Sequence, residues 1–275
     1  TYTCTITDGR NCVYLTHATI SEPSPLTLTP SQFNASCNGI CDGIASVFPS
    51  GGTPPYTYNW TNQGSNHMLL GLCAGSYSVM VFDSNLCPNS ISVLITQPNV
   101  ITCNVTSTNL ICYGDSNGTL TATAGGGTGT TYTYEWSNGT LSPYNTALSA
   151  GIAYYVKITD QGDLCEKTFG PYYVTQPPSL VSSIYKLTDI FCWGDSTGQA
   201  IVTVISGQPP YSHLWDNGET NALNANMNAG WCTVVSSDAN GCTISDSIEI
   251  FHINSQIQSN INIIQNVSCL NRCDG

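Results

Sequence analysis

Cysteine is the residue type in this sequence with the greatest capacity for chemistry. The 275 residues include fourteen cysteines, and none of them shows the paired CxxC spacing of a zinc site. So high a content is unusual for a cytosolic protein and ordinary for an exported one. Cys37 and Cys41 enclose three residues, but no histidine or second cysteine pair converges on them in the sequence. We therefore predict disulfides and no metal site.

The side chains that most often serve catalysis form no recognisable set. The four histidines, His17, His67, His213 and His252, make no HExxH motif. No GxSxG motif occurs, and no pair of carboxylates stands out as an acid and a base. We predict that the chain is not an enzyme and needs no cofactor.

Four aspartates stand a few residues before a cysteine, in stretches that read as turns: Asp8, Asp83, Asp160 and Asp238. A calcium site would need several oxygen ligands to converge, whereas each stretch offers only Asp-x-Asn or something similar. An aspartate side chain that accepts hydrogen bonds from the backbone of its own turn is the simpler interpretation. We expect Asx turns at these positions.

Composition restricts the possible partners. Only 8% of the residues are charged, against roughly 25% in a typical soluble domain, and the formal net charge is −12. Five Lys and Arg residues cannot neutralise many phosphates, so we predict neither a nucleic-acid partner nor an anionic-membrane partner. No run of 18 apolar residues occurs, so we expect no membrane insertion in this segment.

The elements that must position these side chains follow a repeat marked by three landmarks. The first is CNGICDG at 37–43, CYGDSNG at 112–118, CWGDSTG at 192–198 and CLNRCDG at 269–275. The second is a Tyr-rich stretch that ends at Trp60, Trp136 and Trp215. The third is an alternating stretch that runs through one of the four aspartates to a cysteine, at 1–12, 76–87, 154–165 and 231–242. Successive first landmarks begin 75 to 80 residues apart. Such order indicates tandem domains.

The landmarks divide the chain into five segments. Three complete repeats are predicted at 24–98, 99–177 and 178–253. Residues 1–23 correspond to the C-terminal part of a repeat, and residues 254–275 to the N-terminal part of another. The two partial segments together would still lack the middle of a repeat. We interpret the chain as a window from a longer array.

Each repeat is predicted to be a small Ig-like β-sandwich, so the fold class is all-β. Thr, Val, Ile and Tyr with frequent Gly and Pro favour strands and turns over helices. In the first repeat we predict strands at 26–36, 44–48, 56–60, 68–72, 76–82 and 90–97. Short antiparallel strands of this number and spacing are typical of such a sandwich, and the recurring tryptophan occupies a core position.

Each repeat contributes one early cysteine, at the start of the first landmark, and one late cysteine, at the end of the third. A sandwich of this size has a modest core and commonly needs a disulfide. We predict pairing within each repeat, which is Cys37 with Cys87, Cys112 with Cys165, and Cys192 with Cys242. Each bridge would close about 50 residues and contribute ~4 kcal/mol. The number of strands decides whether this pairing is possible. Six strands that run alternately up and down place the turns of the early and late cysteines at the same end of the sandwich, whereas a seventh strand would separate them.

The other cysteines are assigned less completely. Cys41 and Cys73 are absent from the next two repeats, and we predict that they form a second pair in the first repeat, although four cysteines allow three connectivities. Cys12 and Cys269 would need partners beyond the chain ends. Cys4, Cys103 and Cys232 fit no scheme.

The motifs CxGxxxG, GGTPPYTYxW, L-x-AG-x-Y and V-x-D-x-N-x-C, with a closing TQP, resemble the SprB repeat. That family occurs in large surface adhesins of gliding Bacteroidota and related bacteria. The resemblance covers essentially the whole chain. It implies an extracellular or cell-surface location and a role in adhesion, gliding motility or surface filaments. Departures are the glycine run at 125–129, the missing proline after Ile253 and the unassigned cysteines.

Glycosylation is expected at two kinds of position. Asp-Ser/Thr-apolar signals, which the bacteria of this resemblance use for O-glycosylation, single out Ser196 and Ser247. N-x-S/T sequons occur at Asn34, Asn59, Asn104, Asn117, Asn138 and Asn266. The alternative interpretation is that all of these are ordinary turn or strand residues.

We predict a structural and adhesive segment that acts as a stiff spacer and assembly unit in a surface protein or filament. Its expected partners are neighbouring repeats or copies of itself in a fibre or array, with surface glycans as a further possibility. The alternative is an array of carbohydrate-binding modules, in which Tyr113, Trp193 and Trp231 stack on sugar rings. Packing of these aromatics between repeats is the simpler interpretation.

Overall fold

The computed structural model describes residues 1–61, 64–254 and 259–260. All twenty secondary-structure elements in this part of the chain are β-strands, as the composition predicted. Within the same residues, the structure holds no helix with the length and apolar character needed to cross a membrane.

The N-terminal segment forms a hairpin of two antiparallel strands, β1 (Tyr2–Thr7) and β2 (Val13–Ala18). Asp8 organises its turn, because the carboxylate accepts the backbone N–H groups of Arg10 and Cys12 at 2.8 and 2.9 Å. Every residue of both strands is exposed.

Six strands form the first sandwich: β3 (Thr27–Phe33), β4 (Gly43–Ser50), β5 (Thr57–Trp60), β6 (Met68–Leu72), β7 (Gly75–Phe82) and β8 (Pro88–Ile95). They make two three-stranded antiparallel sheets, in the orders β3-β4-β6 and β5-β7-β8. Residues from both sheets alternate into one core, which includes Val47, Trp60 and Val81. Each predicted strand of the first repeat begins and ends within three residues of the corresponding observed strand.

The second sandwich has the same strand order: β9 (Asn99–Thr108), β10 (Gly118–Gly127), β11 (Tyr132–Trp136), β12 (Tyr144–Leu148), β13 (Tyr154–Asp160) and β14 (Glu166–Tyr172). Its sheets run β12-β10-β9 and β11-β13-β14. The burial of β13 alternates along its whole length, with Tyr154, Val156, Ile158 and Asp160 buried, as expected for a strand with one face on a core.

The third sandwich completes the series: β15 (Val181–Thr188), β16 (Gly198–Ser206), β17 (Ser212–Trp215), β18 (Leu223–Met227), β19 (Gly230–Ser237) and β20 (Thr243–Ile250). Its sheets are β15-β16-β18 and β17-β19-β20. Ala200, Trp215 and Val234 belong to its core. The three sandwiches are therefore repeats of one architecture.

The recurring tryptophan has the same environment in each sandwich. All three side chains are almost completely buried. Each indole N–H donates to the backbone carbonyl six residues further on. The only polar group of the buried side chain therefore keeps a hydrogen-bond partner. The bonds are Trp60 to Asn66 at 2.8 Å, Trp136 to Ser142 at 2.9 Å and Trp215 to Asn221 at 2.9 Å.

Packing divides the chain into two compact units. The first unit consists of Thr1–Asn104, Ala122–Pro143 and Tyr155–Gly170. The second consists of Val105–Thr121, Tyr144–Tyr154 and Pro171–Gly275, of which the structure describes the residues named above. The second sandwich contributes residues to both units.

Candidate functional site at the disulfide-bonded junctions

Two disulfides join neighbouring sandwiches. In the first unit, Cys37 is bonded to Cys165, with 5.7 Å between the Cα atoms and a sequence separation of 128. In the second unit, Cys112 is bonded to Cys242, also with 5.7 Å between the Cα atoms and a separation of 130. Both follow one rule, in which the early cysteine of a sandwich pairs with the late cysteine of the sandwich that follows it.

This rule differs from the expected pairs Cys37–Cys87, Cys112–Cys165 and Cys192–Cys242, and the strand directions explain why. The early cysteine lies in the β3–β4 turn, which is tied to the end of β8 by a bond from the Ala35 N–H to the Thr96 carbonyl. The late cysteine lies in the β7–β8 turn, at the other end of β7. The eight residues of β7 span about 26 Å at about 3.3 Å per residue. A disulfide needs Cα atoms roughly 4.4–6.8 Å apart, so the two cysteines of one sandwich cannot meet.

The path of the chain brings cysteines of neighbouring sandwiches together instead. In the first unit, β8 ends at Ile95 beside the early-cysteine turn, and β9 begins at Asn99. The start of β9 lies beside the late-cysteine end of its own sandwich, because the Thr102 hydroxyl donates to the Gly125 carbonyl at 3.2 Å. A short connection therefore sets the early turn of one sandwich against the late turn of the next.

The closing TQP motif fixes the early-cysteine turn. In the first sandwich the Gln97 side-chain oxygen accepts the N–H of Gly39 at 2.8 Å, and the Asn38 amide donates to the Pro98 carbonyl at 3.0 Å. In the second sandwich Gln176 accepts the N–H of Gly114 at 3.0 Å. Both glycines have a positive φ, near +80°, which a residue with a side chain adopts at a cost. The motif therefore holds the turn that presents the early cysteine.

The third sandwich closes its early turn differently. His252 stands in place of the glutamine and stacks on Trp193, with 4.4 Å between ring centroids. Asp189 accepts the N–H of Phe251 at 2.9 Å, the role that Asn34 and Asn109 have in the other two sandwiches. The missing proline after Ile253 thus belongs to an altered turn.

Buried aspartates hold the late-cysteine turns. Asp160 accepts the N–H groups of Thr128, Gly129 and Gly162 at 2.7 to 3.1 Å. The Gly129 N–H above all, with those of Gly162 and Thr128, keeps the pKa of Asp160 below its usual value against the opposing effect of burial. The bond from Gly162 is the Asx-type contact that was predicted, whereas the bonds from Thr128 and Gly129 come from another segment of the chain.

The corresponding aspartates repeat this arrangement. Asp83 accepts the N–H groups of Thr53, Asn85 and Cys87, each at 2.9 Å. The Cys87 N–H is the main cause of its lowered pKa. Asp238 binds the backbone of Gln208, Asn240 and Cys242. Among the described residues, no group of three or more His, Cys, Asp or Glu side chains could hold a metal ion.

The remaining cysteines take several positions. Cys41 and Cys73 are bonded within the first sandwich, which is the extra pair that the sequence suggested. Cys4, Cys12, Cys87 and Cys192 are exposed thiols without a disulfide partner among the described residues. Cys232 is buried on β19, where its thiol donates to the Asn228 carbonyl and burial raises its pKa. Cys103 lies half-buried on β9, and Cys269 is outside the described residues.

The predicted glycosylation positions are exposed wherever the structure describes them, and the sequon asparagines among them are Asn34, Asn59, Asn104, Asn117 and Asn138. Asn266 lies outside the described residues. The Asn34 side-chain oxygen accepts the N–H of Thr96, just after β8, and the Asn117 side-chain oxygen accepts the N–H of Ile111 in the early-cysteine turn. Ser196 bonds the side chain of Asn228, and Ser247 lies on the exposed face of β20.

Tyr113, Trp193 and Trp231 are all exposed in the described residues, and Tyr113 is exposed even beside the Cys112–Cys242 junction, contrary to the expectation that it is buried between repeats. Tyr113 and Trp193 occupy the same landmark position, directly after an early cysteine. Trp231, 68% exposed on β19, has no aromatic counterpart, because Ser76 and Ala153 stand at the equivalent positions.

The fold and its ordered cysteines define a class, which is the Ig-like β-sandwich repeat protein stabilised by disulfides. The family model of the SprB repeat matches three times, at residues 29–65, 104–141 and 184–220, once in each sandwich. The chain therefore carries three SprB repeats, and the resemblance drawn from its motifs is confirmed. That family consists of cell-surface proteins and is not a family of enzymes, and the disulfides fit an extracellular protein.

Solved structures with Ig domains are similar to the chain at low identity. The crystal structure of Dpr2 Ig1-Ig2 in complex with DIP-Theta Ig1-Ig3 aligns at 13% identity and a TM-score of 0.25, covering 82% of this chain and 99% of the other. The crystal structure of the N-terminal eight Ig domains of Down Syndrome Cell Adhesion Molecule isoform 1.30.30 aligns at 9% identity and a TM-score of 0.27. The alignment covers 91% of this chain and 50% of the other. No curated protein matches the chain.

Proposed function

We propose that the chain is a stiff spacer segment of an extracellular bacterial surface protein or filament, in which covalent junctions hold successive repeats in fixed register. The observation that carries this proposal is the pairing of Cys37 with Cys165 and of Cys112 with Cys242. A sandwich joined to its neighbour by one peptide connection alone bends at that connection. A second covalent link at the same junction restricts the bend, and the same pair of turns supplies it each time.

The short connection between the first and second sandwiches supports the same role. Between β8 and β9 only residues 96–98 lie outside the strands, and all three, Thr96, Gln97 and Pro98, accept hydrogen bonds from the early-cysteine turn. A connection this short has little freedom of its own. Stiffness would keep an adhesive tip or a neighbouring copy at a set distance from the cell, and we place the partners of this segment among neighbouring repeats and copies of the same chain.

The test is the distribution of angles between the first and second sandwiches. A Cys37→Ser/Cys165→Ser variant should show a wider distribution in single-particle images or small-angle scattering than the parent chain. A Cys41→Ser/Cys73→Ser variant is the matched control, because it also removes one disulfide but leaves the junction intact. Equal distributions in all three proteins would show that the disulfide does not stiffen the junction and would reject the spacer role.

A second candidate, an array of carbohydrate-binding modules, is favoured only by the exposure of Trp231 and Trp193. Trp193 already has one face on His252, and Trp231 occurs in one repeat of three. An array needs the same aromatic surface in several repeats, so we rank the spacer first. Binding on a glycan array that Trp231→Ala abolishes would reverse this ranking.

Glycosylation is part of the proposal as a surface property. Ser196, Ser247 and the exposed sequon asparagines are open to modification, and a glycan on a sheet edge would hinder proteases and edge-to-edge pairing. The mass difference of each peptide from its unmodified value tests each position separately.

A further inference from the structure

The junction rule leaves two cysteines of the complete sandwiches without a partner in the described chain. Cys87 is the late cysteine of the first sandwich, so by the pairing rule its partner is the early cysteine of the preceding repeat. Cys192 is the early cysteine of the third sandwich, so its partner is the late cysteine of the following repeat. Neither partner lies within residues 1–275: segment 1–23 contains no first landmark, and segment 254–275 contains no third landmark.

We propose that Cys87 and Cys192 are the two open ends of a continuous disulfide ladder, each bonded to the complementary cysteine of a further SprB repeat. The repeat can be supplied by the same polypeptide or by a second copy of this chain, since both present the same turns. This inference uses the repeat architecture and does not depend on the spacer or adhesive role.

Both thiols are equivalent in position to cysteines that are bonded in the same structure. Cys87 ends the turn that Asp83 organises, as Cys242 ends the turn that Asp238 organises, and Asp83 and Asp238 each accept the N–H of that cysteine. Cys192 occupies the landmark position of Cys37 and Cys112, and Gly194 beside it has the positive φ of Gly39 and Gly114. Both thiols are exposed. The turns that present bonded cysteines elsewhere are therefore formed at both open ends.

A second observation marks the end of the third sandwich as a contact surface. Four large apolar side chains lie on the turn of Cys192 or on the segment hydrogen-bonded to it, namely Phe191, Trp193, Phe251 and Ile253, with 65%, 56%, 49% and 57% of their surface exposed. In the first sandwich the equivalent positions include Ser36, whose carbonyl lies 3.3 Å from the Cys165 sulfur, and Pro98, which lines the cleft beside Cys37 and Cys165. The apolar end thus corresponds to an established junction and needs a cover of the same kind.

The occupant that fits this end is the late-cysteine turn of another repeat. At the two observed junctions the sulfur of the late cysteine lies beside a backbone carbonyl of the early-cysteine turn. This carbonyl belongs to Ser36 at the Cys165 junction and to Ile111 at the Cys242 junction. The residue equivalent to Ser36 and Ile111 in the third sandwich is Phe191. A bond at Cys192 would therefore bring the partner turn directly onto the apolar side chains.

Each new bond joins two thiol sulfurs and releases two protons and two electrons. A disulfide of an extracytoplasmic dithiol oxidoreductase accepts them and leaves as a dithiol, through a mixed disulfide with one of the two cysteines. Exposure of Cys87 and Cys192 gives such an enzyme access.

Disulfide mapping of the surface protein as isolated from cells tests the ladder. The protein is alkylated with iodoacetamide without reduction and digested with pepsin at acidic pH, which suppresses disulfide exchange. We expect the Cys87 peptide linked to a first-landmark peptide and the Cys192 peptide linked to a third-landmark peptide. Partner peptides with sequences outside residues 1–275 identify a repeat of a longer chain, whereas a Cys87–Cys192 link identifies a second copy.

Recovery of both cysteines in alkylated form, or of Cys87 linked to Cys37, would overturn the ladder. The Cys37–Cys165 and Cys112–Cys242 peptides serve as internal controls in the same digest. If these controls are linked while Cys87 and Cys192 are alkylated, the ladder fails and the covalent junctions of the proposed spacer stand. If the controls are themselves alkylated, the basis of both proposals fails.

Discussion

At the scale of single residues, backbone N–H groups stabilise a buried carboxylate by donating hydrogen bonds to it. Asp160 is fully buried in a chain with few charges, and the N–H groups of three residues surround its carboxylate. A buried carboxylate is tolerated only when such donors replace its water. The aspartate could be identified from the sequence as a turn residue. Its donors on Thr128 and Gly129 could not, because they lie some thirty residues away along the chain.

Asp160 should make stability depend on pH in a defined direction. Its pKa is lowered in the folded protein, so its contribution is complete above the usual carboxyl pKa of about 3.9 and is lost as the pH falls through the lower folded value. Asp160→Asn should cost about 2 kcal/mol at pH 7, the typical worth of a hydrogen bond to a charged group. The difference in unfolding free energy between Asp160→Asn and the parent should become smaller below about pH 4. Denaturant unfolding at several pH values measures this difference.

Glu135→Gln is the control for this measurement. Glu135 is an exposed carboxylate paired with Lys157 at 2.8 Å, and exposed ion pairs contribute little to stability because water and salt screen them. A loss from Glu135→Gln as large as that from Asp160→Asn would mean that general charge, and not the buried turn, sets the effect.

At the scale of elements, glycines decide how closely the strand ends approach the aspartate turns. The glycine run at 125–129 had no explanation in the sequence. A Cβ on Gly127 would stand 1.9 Å from an Asp160 oxygen, and a Cβ on Gly129 2.1 Å from the other. Gly127 and Gly129 therefore let the end of β10 approach the carboxylate closely, and no side chain fits at either position.

Gly127→Ala and Gly139→Ala separate this close approach from backbone strain. Both glycines have positive φ, +68° and +86°, but a Cβ on Gly139 meets nothing within 4 Å. Gly139→Ala should therefore cost only the left-handed backbone penalty of about 1 kcal/mol. Gly127→Ala should cost about 3 kcal/mol, because it also displaces a buried hydrogen-bonded carboxylate. Equal losses in urea unfolding would contradict the role assigned to Gly127.

At the scale of the whole molecule, each junction disulfide closes a loop far longer than any within one sandwich. The Cys37–Cys165 bridge spans 128 residues and the Cys41–Cys73 bridge spans 32. On the chain-entropy model these correspond to about 5 and about 4 kcal/mol, so stability depends on both kinds of bridge.

Removal of the first junction disulfide should lower the free energy of unfolding by about 4–5 kcal/mol. Cys37→Ser/Cys165→Ser, compared with the parent by guanidinium unfolding without reductant, measures the loss. Cys4→Ser is the control, because Cys4 is exposed on β1 and has no disulfide. If the double variant and the control unfold alike, the bridge constrains orientation without contributing stability.

The sequence by itself determined the repeats, the strands of the first repeat, the core tryptophans and the Asp turns, because local alternation and turn chemistry decide these features. It also indicated the SprB family and an extracellular setting. Only the tertiary structure decided which early and late cysteines meet. Cys37 and Cys87 belong to one sequence repeat, yet a strand of eight residues sets their turns at opposite ends of the sandwich. The short connection after β8 places the late turn of the next sandwich, with Cys165, against Cys37. Pairing is fixed by distance in space, which the spacing of cysteines along the chain does not reveal.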